Sequence, residues 1–301
     1  MPAESKPWLL TFTEAVAASE RERALATLEA RATAHAGTPK SAEKQAAAKE
    51  IMASCGGESE PLLGWTHWLA EQQSPTAKEL LAVLLVPAYP HQRGQAVDWL
   101  QRLADDDNWE VREWAASAIG ELANAHCDDW LPLLRDWVGH ESQFVRRAVA
   151  VAAKYAVQKR RPGRCDELLD LIEPLVTDRA EEVRRNLGPF AVGGGFLGSC
   201  PDETLARVRR WAASDDEQSR WNAAMVFSAA NARKHIDAGL EVLSGLASDR
   251  RRYVWMAVGA AARNLAKRDP DRVMPELQRW LDDDRRLPAA LALRGARRPS
   301  P

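Results

Sequence analysis

At five places a helix-capping or turn-forming residue stands five positions before an anchor residue. The pairs are Asp106 and Val111, His140 and Val145, Asp178 and Val183, Asp216 and Trp221, and Asp249 and Val254. The anchors are separated by 34, 38, 38 and 33 residues. A spacing this regular divides the middle of the chain into copies of one supersecondary unit, each unable to bury its apolar face without a neighbour. Around the first anchor, Val111, Ala115, Ala118, Ile119 and Leu122 recur at helical intervals. They follow Asp105-Asp106-Asp107-Asn108, residue types that satisfy the free N–H groups of a helix start. A second apolar helix, ending near Trp99, Trp137 or Trp211, precedes most anchors, so each unit reads as a helical pair. Those tryptophans, with Trp280, are expected to pack between neighbouring helices.

Composition agrees with an all-α chain. Hydrophobic residues make up 46% and charged residues 28% of the 301 positions, enough apolar surface for a substantial interior. Ala, Leu, Arg and Glu dominate the periodic windows, where glycine and proline are sparse and no strand pattern appears. A formal net charge of -2 excludes coating nucleic acid by bulk positive charge, although a local basic face remains open. Cys55, Cys127, Cys165 and Cys200 are widely separated without a CxxC pair, and the six histidines form no HExxH motif. Neither a disulfide scaffold nor a zinc site is expected, and no cofactor. No run of 18 apolar residues occurs and the N-terminus has no apolar signal core, so the expectation is a cytoplasmic monomer that meets no membrane.

Two helices per unit, with a Val-Arg pair just inside the second, resemble the HEAT repeat. The resemblance implies an all-α helical-repeat solenoid with a concave groove. Residues 1–94 lack the sharp register but show helical stretches around 13–32, 41–54 and 76–86, and are read as degenerate capping repeats. Residues 95–284 form the repeats proper. Residues 285–301, ending Arg-Gly-Ala-Arg-Arg-Pro-Ser-Pro, are read as a basic, disordered tail.

In such a solenoid the second helices line the concave wall. Two positions beyond the anchor, about 200° around the helix, stand Glu113, Arg147, Arg185, Ala223 and Met256. Two positions before it stand Trp109, Gln143, Glu181, Ser219 and Arg252. Trp109 and Glu113 are thus neighbours on one helix face, with small Ala116 and Gly120 expected to leave room above them. Between Phe144 and Arg164 there are seven basic residues and no acidic one, and Arg184 and Arg185 continue the trend. Arginines on one wall bind phosphate through forked hydrogen bonds and release counterions. Arg112, Arg146 and Arg184 follow the Val-Arg pattern and are assigned to bonds with adjacent turns, leaving Arg147 and Arg185 for the groove. Asn222, with Trp221 and Trp255, extends a base or sugar platform or packs between repeats; both readings stay open. His126-Cys127-Asp128 reads as a helix boundary rather than a nucleophile site.

Asn108-Trp109-Glu110-Val111-Arg112-Glu113, Phe144-Val145-Arg146-Arg147-Ala148, Val183-Arg184-Arg185-Asn186-Leu187-Gly188-Pro189-Phe190 and the stretch from Val258 to Pro270, ending Asn264-Leu265-Ala266-Lys267-Arg268-Asp269-Pro270, together resemble the HEAT-like DNA alkylation-repair proteins, the AlkD- and AlkC-like DNA glycosylases. The similarity spans roughly 70–281. It implies duplex DNA as partner, nucleoid association when bound, and hydrolysis of the N-glycosidic bond of cationic N3- or N7-alkylated purines. Trp109 and Glu113 then stand at the reaction centre, with Arg147, Arg185, Asn186, Phe190 and Asn222 on the DNA. The chain departs from that pattern in two respects. Leu187-Gly188-Pro189 replaces a second tryptophan, with Phe190 beside it, and Glu113 is one methylene longer than the Asp of the pattern. Pro189 is expected to kink its helix, and Gly193-Gly194-Gly195 to be its loosened end. A non-catalytic binder of damaged or branched DNA and a protein-binding HEAT scaffold are the alternatives.

Overall fold

The computed structural model describes residues 7–34, 37–158 and 164–296. The basic positions Lys159, Arg160 and Arg161, and the last five residues of the expected tail, lie outside the described residues. Among the described residues there are helices and turns and no strand.

The chain divides into two compact units, one up to Leu122 and one from Ala123. The first contains α1 (Pro7–Ala17), α2 (Arg21–Glu29), α3 (Ser41–Ser54), α4 (Ser59–Ala70), α5 (Pro75–Ala88), α6 (Arg93–Ala104) and most of α7 (Trp109–Ala125). The stretch expected to be one helix from 13 to 32 is two, broken at Ser19, whose φ of 61° is left-handed and ends α1. α4 was not anticipated; Leu62, Trp65 and Leu69 give it a buried stripe.

The second unit contains α8 (Cys127–Trp137), α9 (Gln143–Gln158), α10 (Arg164–Ile172), α11 (Glu181–Asn186), α12 (Leu197–Ser199), α13 (Pro201–Ala212), α14 (Glu217–Val226), α15 (Ile236–Ala247), α16 (Arg252–Arg268), α17 (Pro270–Trp280) and α18 (Arg286–Ala296). Within the expected frayed tail, residues 286–296 form α18. It packs on α16, with Ala289 and Ala292 fully buried.

The repeat turn has one construction throughout: a side chain accepts the backbone N–H two residues ahead. Asp106 does this for Asn108, His140 for Ser142, Asp178 for Ala180, Ser214 for Asp216, Asp249 for Arg251 and Asp283 for Arg285, at 2.8–3.1 Å. Two corrections follow. In the fourth unit the turn residue is Ser214, not Asp216, so the anchor is buried Ser219 and not Trp221, which is partly exposed. A sixth turn at Asp283 opens α18, with Pro288 at the buried anchor position. Val111, Val145, Val183 and Val254 are completely buried as expected. Trp137, Trp211 and Trp280 are buried in packing roles.

Between α11 and α12, Leu187–Phe196 forms a π-helical segment. The expected loosened helix end is therefore a continued, wider helix. Pro189 removes one N–H from the ladder, and the glycines let neighbours come close. A Cβ on Gly195 would lie 2.6 Å from Lys154 Cγ, and one on Gly193 would lie 2.7 Å from Ala229 Cβ.

Cys165 and Cys200 form a disulfide, against the expectation that the widely separated cysteines would not pair. They sit near the starts of α10 and α13, first helices of successive pairs, which brings their Cα atoms within 6.5 Å. Cys55 and Cys127 are free and buried. No helix among the described residues is long and apolar enough to cross a membrane.

Candidate nucleic-acid interface

Trp109 opens α7 in the N-terminal unit and is 50% exposed, unusual for so large an apolar side chain. Glu113 follows one helical turn later and is half-buried. Ala116 and Gly120 are buried, so the open space expected above this pair on the same helix is filled.

An adjacent face of α7, about 100° around the helix, is pinned by a cluster that the sequence pattern did not single out. Lys44 on α3 reaches Glu79 on α5 at 2.8 Å, Glu110 at 3.3 Å and Thr38 Oγ1 at 3.3 Å, with its ammonium 4.8 Å from the Trp114 ring centroid. Glu110 and Trp114 are four residues apart, so one ammonium grips two successive turns of α7 and fixes its rotation. The signal was present in sequence, since Glu79 falls inside a leucine-rich helix on its buried face.

The remaining expected residues belong to the C-terminal unit. Arg147 on α9 is buried and lies 3.8 Å from Glu182. Arg185 on α11 is exposed and paired with Glu181 one turn away. Asn186 donates to the Glu182 carbonyl at 2.8 Å. The Phe190 ring sits 3.5 Å from the Lys154 ammonium, a cation held against an aromatic face. Asn222 was expected on a DNA-facing wall or between repeats. It is fully buried, donating to the Val176 carbonyl at 2.8 Å and occupying the space left by Gly188. The fourth-unit register explains this, because the residue facing outward is Trp221.

The Val-Arg arginines take the turn role expected of two of the three. Arg112 donates to the Asp106 and Asp107 carbonyls, and Arg146 to His140, Glu141 and the Asp178 carboxylate at 2.6 Å. In the corrected register Arg220 belongs to the same set, reaching the Ser214 carbonyl and Asp249. Arg184 does not make these bonds. It donates to the Tyr253 hydroxyl at 3.3 Å and lies 6.0 Å from the Trp221 ring, which stacks on Tyr253 at 5.5 Å. Among the described residues no group of three or more His, Cys, Asp or Glu side chains could hold a metal ion.

Comparison with known proteins matches residues 65–154 and 96–188 to HEAT repeats, and residues 189–299 to the DNA alkylation repair enzyme family. Residues 65–188 thus match HEAT repeats, and the segment that follows matches the DNA alkylation repair enzyme family. That segment of the repair family contains Phe190 and Asn222, whereas Trp109, Glu113, Arg147, Arg185 and Asn186 lie in the part matched as HEAT repeats. No curated protein matches the sequence. Among solved structures, YibA of Escherichia coli is 16% identical over 99% of this chain and 100% of its own, with a TM-score of 0.39. Smu.31 of Streptococcus mutans is 20% identical over 77% of this chain and 97% of its own, at 0.37. A designed armadillo repeat protein is 19% identical over 78% and 99%, at 0.29.

Proposed function

We propose that this chain binds duplex DNA and hydrolyses the N-glycosidic bond of purines carrying a positive charge from N3 or N7 alkylation. The observation that carries the reading is the half-exposed indole of Trp109 with Glu113 one turn further along the same face. In the reaction the C1′–N bond breaks with its electron pair passing to the cationic base, which leaves neutral. Positive charge develops on the sugar, water adds at C1′, and that water loses a proton. An aromatic face attracts the cationic base, and a carboxylate stabilises the sugar cation and orients the water. Because the base departs neutral, it needs little acid catalysis. Arg185 and, after local rearrangement, Arg147 supply phosphate contacts in this reading.

The test is release of free 3-methyladenine or 7-methylguanine from N-methylated duplex DNA. The proposal expects release by the unaltered chain and a loss of about a hundredfold or more in Glu113→Gln. No release, or release unchanged in Glu113→Gln, removes the enzymatic role.

A second reading, binding of damaged DNA without catalysis, is favoured by Leu187, which is fully buried at the position where the resemblance implies a second tryptophan. Duplex affinity that falls steeply with salt, without base release, selects it.

A further inference from the structure

We propose that the depression lined by Arg179, Arg184, Gln218 and Tyr253 in the C-terminal unit is a binding site for a phosphoryl group. This inference goes beyond the glycosylase reading and does not depend on it. It begins with an irregularity in the repeats. Arg146 is neutralised by Asp178, the turn residue of the next unit, and Arg220 by Asp249, the turn residue of the unit after its own. The corresponding turn residue for Arg184 is Ser214, which makes the turn bond but carries no charge. Among the described residues no carboxylate lies within ion-pair distance of Arg184. Its guanidinium is held by a phenol and the indole face of Trp221 instead. A half-buried guanidinium without a carboxylate pays desolvation that an incoming anion can recover.

The surroundings supply further donors. Arg179 borders the same depression, mostly exposed and only 3.7 Å from Asp216, a loose pair. Gln218 is 2% exposed; its Oε1 accepts from the Tyr253 hydroxyl at 2.9 Å, and its Nε2 donor has no hydrogen-bond partner. A buried amide N–H left without an acceptor is uncommon and costly. Glu217 also lines the site and its charge opposes an anion there, so the attraction falls to Arg184 and Arg179. The volume, about 250 Å³, falls below the usual range for drug-sized ligands and suits one tetrahedral anion or one esterified phosphate. Two sources share this chemistry, a nucleic-acid backbone phosphate and a free phosphate or small phosphate ester.

The experiment titrates the full chain with inorganic phosphate by calorimetry and with an unmodified DNA duplex by fluorescence anisotropy, comparing Arg184→Met and Arg294→Met. Arg294 is exposed on α18, far along the chain, and controls for general loss of charge. Arg184→Met is expected to weaken binding about tenfold or more, and Arg294→Met to leave it within about twofold. Should Arg184→Met fail to fold, Arg179→Met, at an exposed position, carries the same comparison. Weakening confined to the duplex assigns the site to a backbone phosphate, and weakening confined to phosphate assigns it to a free anion or ester. Equal binding by the unaltered chain and Arg184→Met, equal losses in Arg184→Met and Arg294→Met, or no binding of either probe overturns the proposal. Base release is not read, so failure of the glycosylase reading remains a separate result.

Discussion

Lys44 Nζ lies 2.8 Å from Glu79 Oε2 inside the N-terminal unit, with neither side chain reaching solvent. Burial raises the Glu79 carboxyl above its ordinary range, against the opposing hydrogen bond and charge of Lys44. Lys44→Met strands that carboxylate and should cost about 3–5 kcal/mol in urea unfolding. Because the folded form holds the Glu79 proton more tightly, stability from this group is present at low pH and lost as pH rises through the folded pKa. The deficit of Lys44→Met should therefore be smaller near pH 5 than near pH 8. Adding Glu79→Leu should recover most of it, and a deficit unchanged by the second substitution would contradict the pairing.

The disulfide between Cys165 and Cys200 closes a loop of sequence separation 35. Its removal, by reductant or by Cys165→Ser with Cys200→Ser, should lower stability by about 2–4 kcal/mol. A thermal melt unmoved by reductant would show that the cross-link does not stabilise the chain.

Gly193 and Gly245 should respond oppositely to alanine. At Gly193 a Cβ meets the Val226 carbonyl and Ala229 Cβ, so Gly193→Ala should destabilise by about 1–3 kcal/mol. Gly245 lies on α15 with nothing within 4 Å of a Cβ, and Gly245→Ala should stabilise by about 0.5–1 kcal/mol through helix propensity. Chemical denaturation of the two variants checks both signs.

Asp249 is held below the usual carboxylate range by its hydrogen bonds to Arg251 and by the charges of Arg220 and Arg251. Its contribution is complete above the ordinary aspartate pKa, about 3.9, and disappears as pH falls through the depressed value. Asp249→Asn should be less stable at neutral pH and lose part of the acid limb. Parallel stability curves between about pH 2 and about pH 6 would count against this role.

The helical pairs were legible because the four buried valines and the capping turns repeat at one spacing. The fourth register differs from the sequence spacing because Trp221 is the largest apolar residue in its segment, whereas the repeated geometry follows the arginine, here Arg220 after Ser219. The cysteine pairing also had a signal, since a separation of 35 is close to one repeat and places both residues at equivalent helix starts. The Trp109–Glu113 spacing was legible as a shared helix face, but the burial of Ala116, Gly120 and Asn222 was not, because each depends on which neighbour covers it.

Local periodicity and capping chemistry in the sequence determined that this chain forms paired helices, where most of them begin, and which valines turn inward. Those properties depend on residues within a few turns of one another. Tertiary packing alone decided that Asn222 clasps Val176, that glycines at 188, 193 and 195 admit close neighbours along a π-helical stretch, and that Arg184 meets a phenol instead of a carboxylate. Each of these outcomes is set by a side chain some 30 or more positions away, whose register no single helix encodes.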